Sequence, residues 1–222
     1  MDTRNLHNIV FTLGRLCPDG IALLGTCFLI NRPNLFVTAS HVTSNDDNNL
    51  VICLPKIDVD GYQDTSDARI RYAPVKIVKS DPVRDICILE GKFNGVVSSI
   101  DALGSDSIHP CDKLTIVGFP HCTQGRDVLT CQDATVGAKI LIESCGIKSK
   151  HIVINIQTRD GQSGSPVFRD SDSKLVAMII GSYAPGKGAI SLGGHRSTDV
   201  ASNNTCHICR VYITNVVDYV IR

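Results

Sequence analysis

Short runs rich in β-branched residues, each closed by turn residues, restrict the fold of this 222-residue chain more than any other feature. Six fall early, at about residues 3–16, 21–30, 35–38, 50–54, 73–78 and 86–89. Six more follow, at 113–117, 127–138, 152–155, 166–168, 175–182 and 209–213. Runs this short, separated by Gly, Pro, Asn and Asp, suit strands. No region shows the helix–strand alternation of a parallel sheet. The expectation is an all-β chain with two six-stranded antiparallel β-barrels. The N-terminal barrel would span 1–95 and the C-terminal barrel 111–213, joined by a strand-poor linker at 96–110. Residues 214–222 read as a short helix or tail: Thr214 suits a cap, and Val216, Val217, Val220 and Ile221 share a face.

Composition bounds the function. With 43% hydrophobic and 20% charged residues the chain suits a packed globular protein. Trp is absent, so the core rests on Ile, Val, Leu and a few Phe. The 22 basic and 22 acidic residues cancel, and no block of like charge points to nucleic acid or an anionic membrane. The polar opening Met1-Asp2-Thr3-Arg4-Asn5 reads as neither a secretory signal nor a membrane span. Ten cysteines would allow five disulfides, but Cys27, Cys53 and Cys87 lie inside apolar runs where a thiol acts as a small hydrophobe. Reduced thiols are expected, and with them a cytoplasmic or other reducing intracellular location.

Chemistry enters through three separated segments. Asp160-Gly161-Gln162-Ser163-Gly164-Ser165-Pro166-Val167-Phe168 places a serine on a glycine turn before an apolar strand. Gly161 permits the amides of Gly161 and Ser163 to converge on a developing oxyanion, Gly164 leaves room, and Pro166 fixes an extended chain. Thr38-Ala39-Ser40-His41-Val42 offers a histidine after an apolar run, able to take and return a proton near neutrality. Asp85, opening Ile86-Cys87-Ile88-Leu89, is placed to accept the His41 Nδ1 proton. Asp81, in a Ser-Asp-Pro turn, is its rival and is expected to face solvent. Each segment alone has a bland reading as a turn, a surface histidine or a strand cap. Together, in the order His, Asp, Ser, they supply a nucleophile, base and orienting acid for acyl transfer and point to a peptidase.

These segments, with Gly118-Phe119-Pro120, resemble the chymotrypsin-like serine peptidases, particularly the compact HtrA-like, glutamyl-endopeptidase-like and viral branch. The similarity covers about residues 5 to 200 in order and spacing. It implies two barrels packed at an active-site cleft, with His41 and Asp85 from the first and Ser163 from the second. It also implies a serine endopeptidase working through an acyl-enzyme, with viral polyprotein processing as one role. Val42 stands where secreted members carry a cysteine, Gln162 where they often carry an acid, and no Ile-Val-Gly-Gly-type activating start is present. The departures fit free thiols, and either activity without zymogen cleavage or activation by another route.

By the same resemblance, Gln157 falls at the base of the primary pocket with Thr158 beside it, and Ile179 and Gly181 form the opposite wall. Ile180, Gly181 and Ser182 would pair with an extended polypeptide substrate. With no buried acid in the pocket, an uncharged or medium apolar residue is expected at the cleaved position. Arg159 and Asp160 flank the opening, and glycines in 182–198 suit a gating loop. Cys206-His207-Ile208-Cys209 has the spacing of half a zinc site, which Cys111, Cys122 or His121 would have to complete. No second Cys-x-x-Cys exists, so free cysteines, no metal and no cofactor are expected. Two alternatives remain: a catalytically silent double barrel that binds proteins, and a cysteine-peptidase relative, which lacks a cysteine at position 163. Oligomeric state is not encoded in any of these signals.

Overall fold

The computed structural model describes residues 3–30, 34–54, 61–92, 100, 104–183 and 208–212. Among them, twelve strands close into two six-stranded antiparallel barrels, so the all-β expectation holds. The first contains β1 (Val10–Cys17), β2 (Gly20–Leu29), β3 (Leu35–Thr38), β4 (Leu50–Leu54), β5 (Arg71–Asp81) and β6 (Ile86–Gly91), in the order β1-β2-β3-β6-β5-β4. The second contains β7 (Lys113–Gly118), β8 (Thr130–Ser144), β9 (Ile147–Ile154), β10 (Pro166–Arg169), β11 (Leu175–Tyr183) and β12 (Ile208–Tyr212), in the order β10-β11-β12-β9-β8-β7. The helix expected at 214–222 lies outside the described residues.

Aliphatic and aromatic side chains fill each barrel. Phe28, Phe36, Leu13, Leu50, Ile52 and Leu89 are buried in the first, where Phe11 meets Phe36 edge to face at 5.5 Å. Leu114, Ile116, Ile152, Val167, Val176 and Ile179 fill the second. The first core also takes in Val117, Phe119, Cys122, Leu129, Phe168 and Met178 from the second barrel, so the barrels share a continuous apolar seam. At about 25 cal/mol per Å² of buried apolar surface, such a seam holds two small barrels together.

Two expectations shift. Thr3–Asn8 forms a 3₁₀ helix rather than the start of a strand, and β1 begins at Val10. The β8–β9 hairpin runs much longer than its apolar patches. Cys145 (φ 50°) and Gly146 (φ 75°) both sit at positive φ between the partners Ser144 and Ile147, as a two-residue hairpin turn of the favoured twist requires.

The strand ends position the site. Thr38, closing β3, pairs with Cys87 near the start of β6, so the segments just beyond both strands emerge side by side. Among the described residues, no helix is long and apolar enough to cross a membrane.

Candidate active site

His41 lies on a single helical turn, α1 (Ser40–Thr43), directly after β3. Asp85 lies just before β6 at φ 58°, in the left-handed region that Asp tolerates better than most residues. That twist presents three acceptors to α1. The Asp85 carbonyl takes the Ser40 N–H at 3.2 Å, and its carboxylate takes the His41 N–H at 2.9 Å and meets His41 Nδ1 at 2.7 Å. A carboxylate only accepts, so His41 Nδ1 is the donor in this contact. The His41 side chain is 49% exposed and that of Asp85 22%, so the imidazole is open while its partner is shielded.

Asp81 does not compete. Its carboxylate binds the Arg84 amide at 3.0 Å and guanidinium at 2.8 Å. It was expected to face solvent, yet its side chain is only 11% exposed, because Arg84 folds back over it.

Ser163 sits on a tight turn between β2 and β11. Thr26 N–H donates to the Ser163 carbonyl at 2.9 Å, and Gly164 N–H donates to the Ile179 carbonyl at 2.7 Å. Gly25 shows how close the two halves come: a Cβ there would lie 2.9 Å from Val42, next to His41, and 3.0 Å from the Ser163 carbonyl. Gly164 (φ 89°) is tighter still, since a Cβ would fall 1.9 Å from the Thr26 carbonyl oxygen.

The peptide preceding the Ser163 turn is held on every side. Gln162 N–H donates to the Arg159 carbonyl at 3.1 Å, closing a turn with Gly161 at φ 90° in its third position. The Asp160 carbonyl accepts from His121 N–H at 2.6 Å. A trans peptide points its C=O and N–H in opposite directions, so this bond turns the Gly161 N–H away from His121. The Gly161 carbonyl takes the Thr26 hydroxyl at 2.9 Å, and Thr26 Oγ1 in turn accepts from Phe119 N–H at 3.2 Å. Buried Gln162 accepts from Arg159 N–H at 2.7 Å and donates to Gln132 Oε1 at 3.0 Å, a neutral brace where an acid was noted as the usual residue. Among the described residues, the amides of Gly161 and Ser163 donate to no protein acceptor.

The residues assigned to the substrate pocket divide. Gln157 is exposed and Thr158 buried at the lead-in to the turn. Ile179 is fully buried and packs in the second barrel core, and its backbone bonds Gly164 and Ser165 in the Ser163 turn. Ile180 and Gly181 follow on β11, with a register shift against β12 between Ile179 and Gly181. Ser182 pairs through its backbone with Cys209. Thr26 and Gln132 were not legible as site residues; Thr38, whose hydroxyl donates to the Thr26 carbonyl at 2.7 Å, was marked only as part of the histidine segment, and His121 only as a zinc candidate. Of the zinc candidates, Cys111 is exposed, Cys122 buried, and Cys206 and His207 lie outside the described residues. Among the described residues no cluster of His, Cys, Asp and Glu suits a metal ion.

Two closed barrels with a histidine–carboxylate pair on one and a serine turn clamped against it define a two-barrel serine peptidase. The trypsin-like peptidase domain family matches residues 25–178, and the chain belongs to that family. Solved structures with the same fold include the MamO protease domain from Magnetospirillum magneticum in its apo form, 12% identical over 99% of this chain and 97% of that one, with a TM-score of 0.65. The Rv3671c protease from M. tuberculosis in its active form is 17% identical over 96% and 79%, TM-score 0.65. The HtrA-type protease AlgW with a decapeptide is 15% identical over 99% and 65%, TM-score 0.68. No curated protein matches the chain by sequence. The chain is a serine peptidase, acting on polypeptides.

Proposed function

We propose that this peptidase is an endopeptidase that cleaves through an acyl-enzyme, with Ser163 as nucleophile, His41 as general base and then acid, and Asp85 as the group that orients His41. The observation that carries the reading is the 2.7 Å contact between His41 Nδ1 and Asp85 Oδ2, reinforced by the Asp85 carboxylate on the His41 amide. Ser163 Oγ attacks the scissile carbonyl while His41 Nε2 takes its proton. The carbonyl oxygen gains the negative charge, met by the amides of Gly161 and Ser163. Collapse breaks the C–N bond, and His41 returns the proton to the departing amine. Water then repeats the sequence on the ester and frees Ser163.

Upstream of the scissile bond, the substrate lies against Ile180, Gly181 and Ser182 as an added strand, with Gln157 and Thr158 at the pocket for the cleaved residue. Both are neutral, which supports an uncharged or medium apolar residue there. The reading also extends to a reducing intracellular compartment and to processing of a viral-type polyprotein. Its support is that Cys27, Cys53, Cys87 and Cys122 are buried free thiols, and that Val42 follows His41.

A cleavage profile on a proteome-derived peptide library tests the proposal. Cuts inside peptides after neutral residues are expected, with none from Ser163→Ala. Cuts that persist in Ser163→Ala, or a preference for acidic or basic residues before the cut, contradict it.

A further inference from the structure

Every hydrogen-bonding group of Gln162 is engaged inside the protein. Its N–H donates to the Arg159 carbonyl at 3.1 Å, and its own carbonyl accepts from Ser165 N–H at 2.9 Å. Its side-chain Oε1 accepts from Arg159 N–H at 2.7 Å, and Nε2 donates to Gln132 Oε1 at 3.0 Å. The residue is 1% exposed, so water does not substitute for either partner.

Chemistry fixes the direction of these bonds. A backbone N–H only donates, so the Gln162 amide must turn Oε1 to Arg159 and Nε2 to Gln132. Gln132 must then answer with its oxygen. A buried amide nitrogen left without an acceptor costs more than the bond itself contributes.

Gln132 stands where packing alone would not put it. On β8 the inward positions run Gln132, Ala134 and Val136, and the last two are buried in the second barrel. Gln132 pairs across the sheet with Ile116, which pairs in turn with Val167, and both of these are wholly buried. An amide in such an apolar row is destabilising unless its polar end has a partner. Gln162 is that partner. The neighbours Cys131 and Asp133 are exposed on the opposite face of β8.

Arg159 and Gln162 are the ends of the turn whose middle peptide joins Asp160 to Gly161. Their main-chain bond runs one way and their side-chain bond the other, so the two ends are clamped together. With the ends clamped and the Asp160 carbonyl on His121 N–H, the direction of the Gly161 N–H is set.

Resting on the acyl-enzyme reading, we propose that Gln162 and Gln132 are positioning residues, a chain of neutral hydrogen bonds from β8 that holds the Gly161 amide on the developing oxyanion. No member of the chain ionises, so the alignment of that amide does not change with pH. Of the ionisable residues in and against the turn, Arg159, Asp160, His121 and Cys122, the chain engages only the Arg159 backbone N–H.

The test is steady-state cleavage of a fluorogenic peptide with a neutral residue before the cut, followed from about pH 5.5 to about pH 9. Gln132→Leu leaves Gln162 Nε2 unpaired. Its turnover number should fall about tenfold or more with KM within about twofold, the split expected of support felt only in the transition state. Gln132→Glu restores an acceptor and should recover most of that loss, with the parent pH profile. Gln162→Glu combined with Gln132→Glu sets two carboxylates face to face, a pair that only a shared proton holds together. The turnover number of this double variant, relative to the parent, should therefore fall about tenfold as pH rises across the interval. Parent-like turnover in Gln132→Leu, no recovery in Gln132→Glu, or a double variant that tracks the parent overturns the proposal and leaves the peptidase reading standing. A parent that cleaves no peptide and takes no fluorophosphonate removes that reading and the proposal with it.

Discussion

The Thr26 amide of the first barrel donates to the carbonyl of Ser163 in the second at 2.9 Å, so the serine is positioned by the opposite barrel. The Thr26 side chain extends the same hold, donating to the Gly161 carbonyl and accepting from Phe119 N–H. One buried threonine thus ties together Ser163, the Gly161 turn and the Gly118-Phe119-Pro120 loop.

Thr26→Val keeps the shape and removes the hydroxyl, leaving the Phe119 N–H unpaired. Urea unfolding should show a loss of about 1–3 kcal/mol, the cost of an unsatisfied buried group. The turnover number should fall by about tenfold or more, with KM nearly unchanged, because the Gly161 amide loses its support in the transition state. Unchanged turnover contradicts this role.

Gly164→Ala places a methyl 1.9 Å from the Thr26 carbonyl at a positive φ. Both effects act against the fold, and unfolding free energy should drop by about 3 kcal/mol or more. A variant as stable as the parent would show that the barrels are not locked at this contact.

Asp85→Asn keeps a side chain of the same size but reverses the proton arrangement at His41 Nδ1. The turnover number should drop by about 10⁴-fold, the size of loss such a change causes in this catalytic template. Circular dichroism should be unaltered, because the Asn carbonyl can still accept from the His41 amide. A loss below tenfold would remove Asp85 from the proposed mechanism.

Burial pushes the Cys53 and Cys122 thiols up to about 12 and the Cys87 thiol up to about 11, and raises Cys27 as well. Unfolded thiols ionise near about 8.5, so the folded state keeps protons that the unfolded state releases. The stability from these thiols is complete below about pH 8.5 and is lost as pH rises toward 11 to 12. In reductant, the urea midpoint should fall across that window, less steeply for Cys53→Ala. Equal slopes for the two proteins would contradict the assignment.

The strand pattern made both barrels legible because β-branched runs between turns mark buried strands directly. It stopped short at residues 139–151, where burial does not follow the apolar pattern: within Ile140-Leu141-Ile142, Leu141 stands 64% exposed, while polar Ser149 and His151 are buried. His41, Asp85 and Ser163 stood out because their neighbours are unusual: small residues before the histidine, an acid opening a strand, glycines around the serine. Thr26 and Gln132 carry no such mark. Each is an ordinary polar residue whose role comes from a partner far along the chain, as with Gln132 and Gln162. His121 acts through its backbone amide, which no side-chain motif encodes.

Peptide mapping by mass spectrometry after a fluorophosphonate probe tests the central claim most directly. The expected result is one adduct per chain on Ser163, absent in Ser163→Ala and slowed by orders of magnitude in His41→Ala. An intact, folded chain that takes no adduct, or takes it on another residue, would contradict a serine activated by His41.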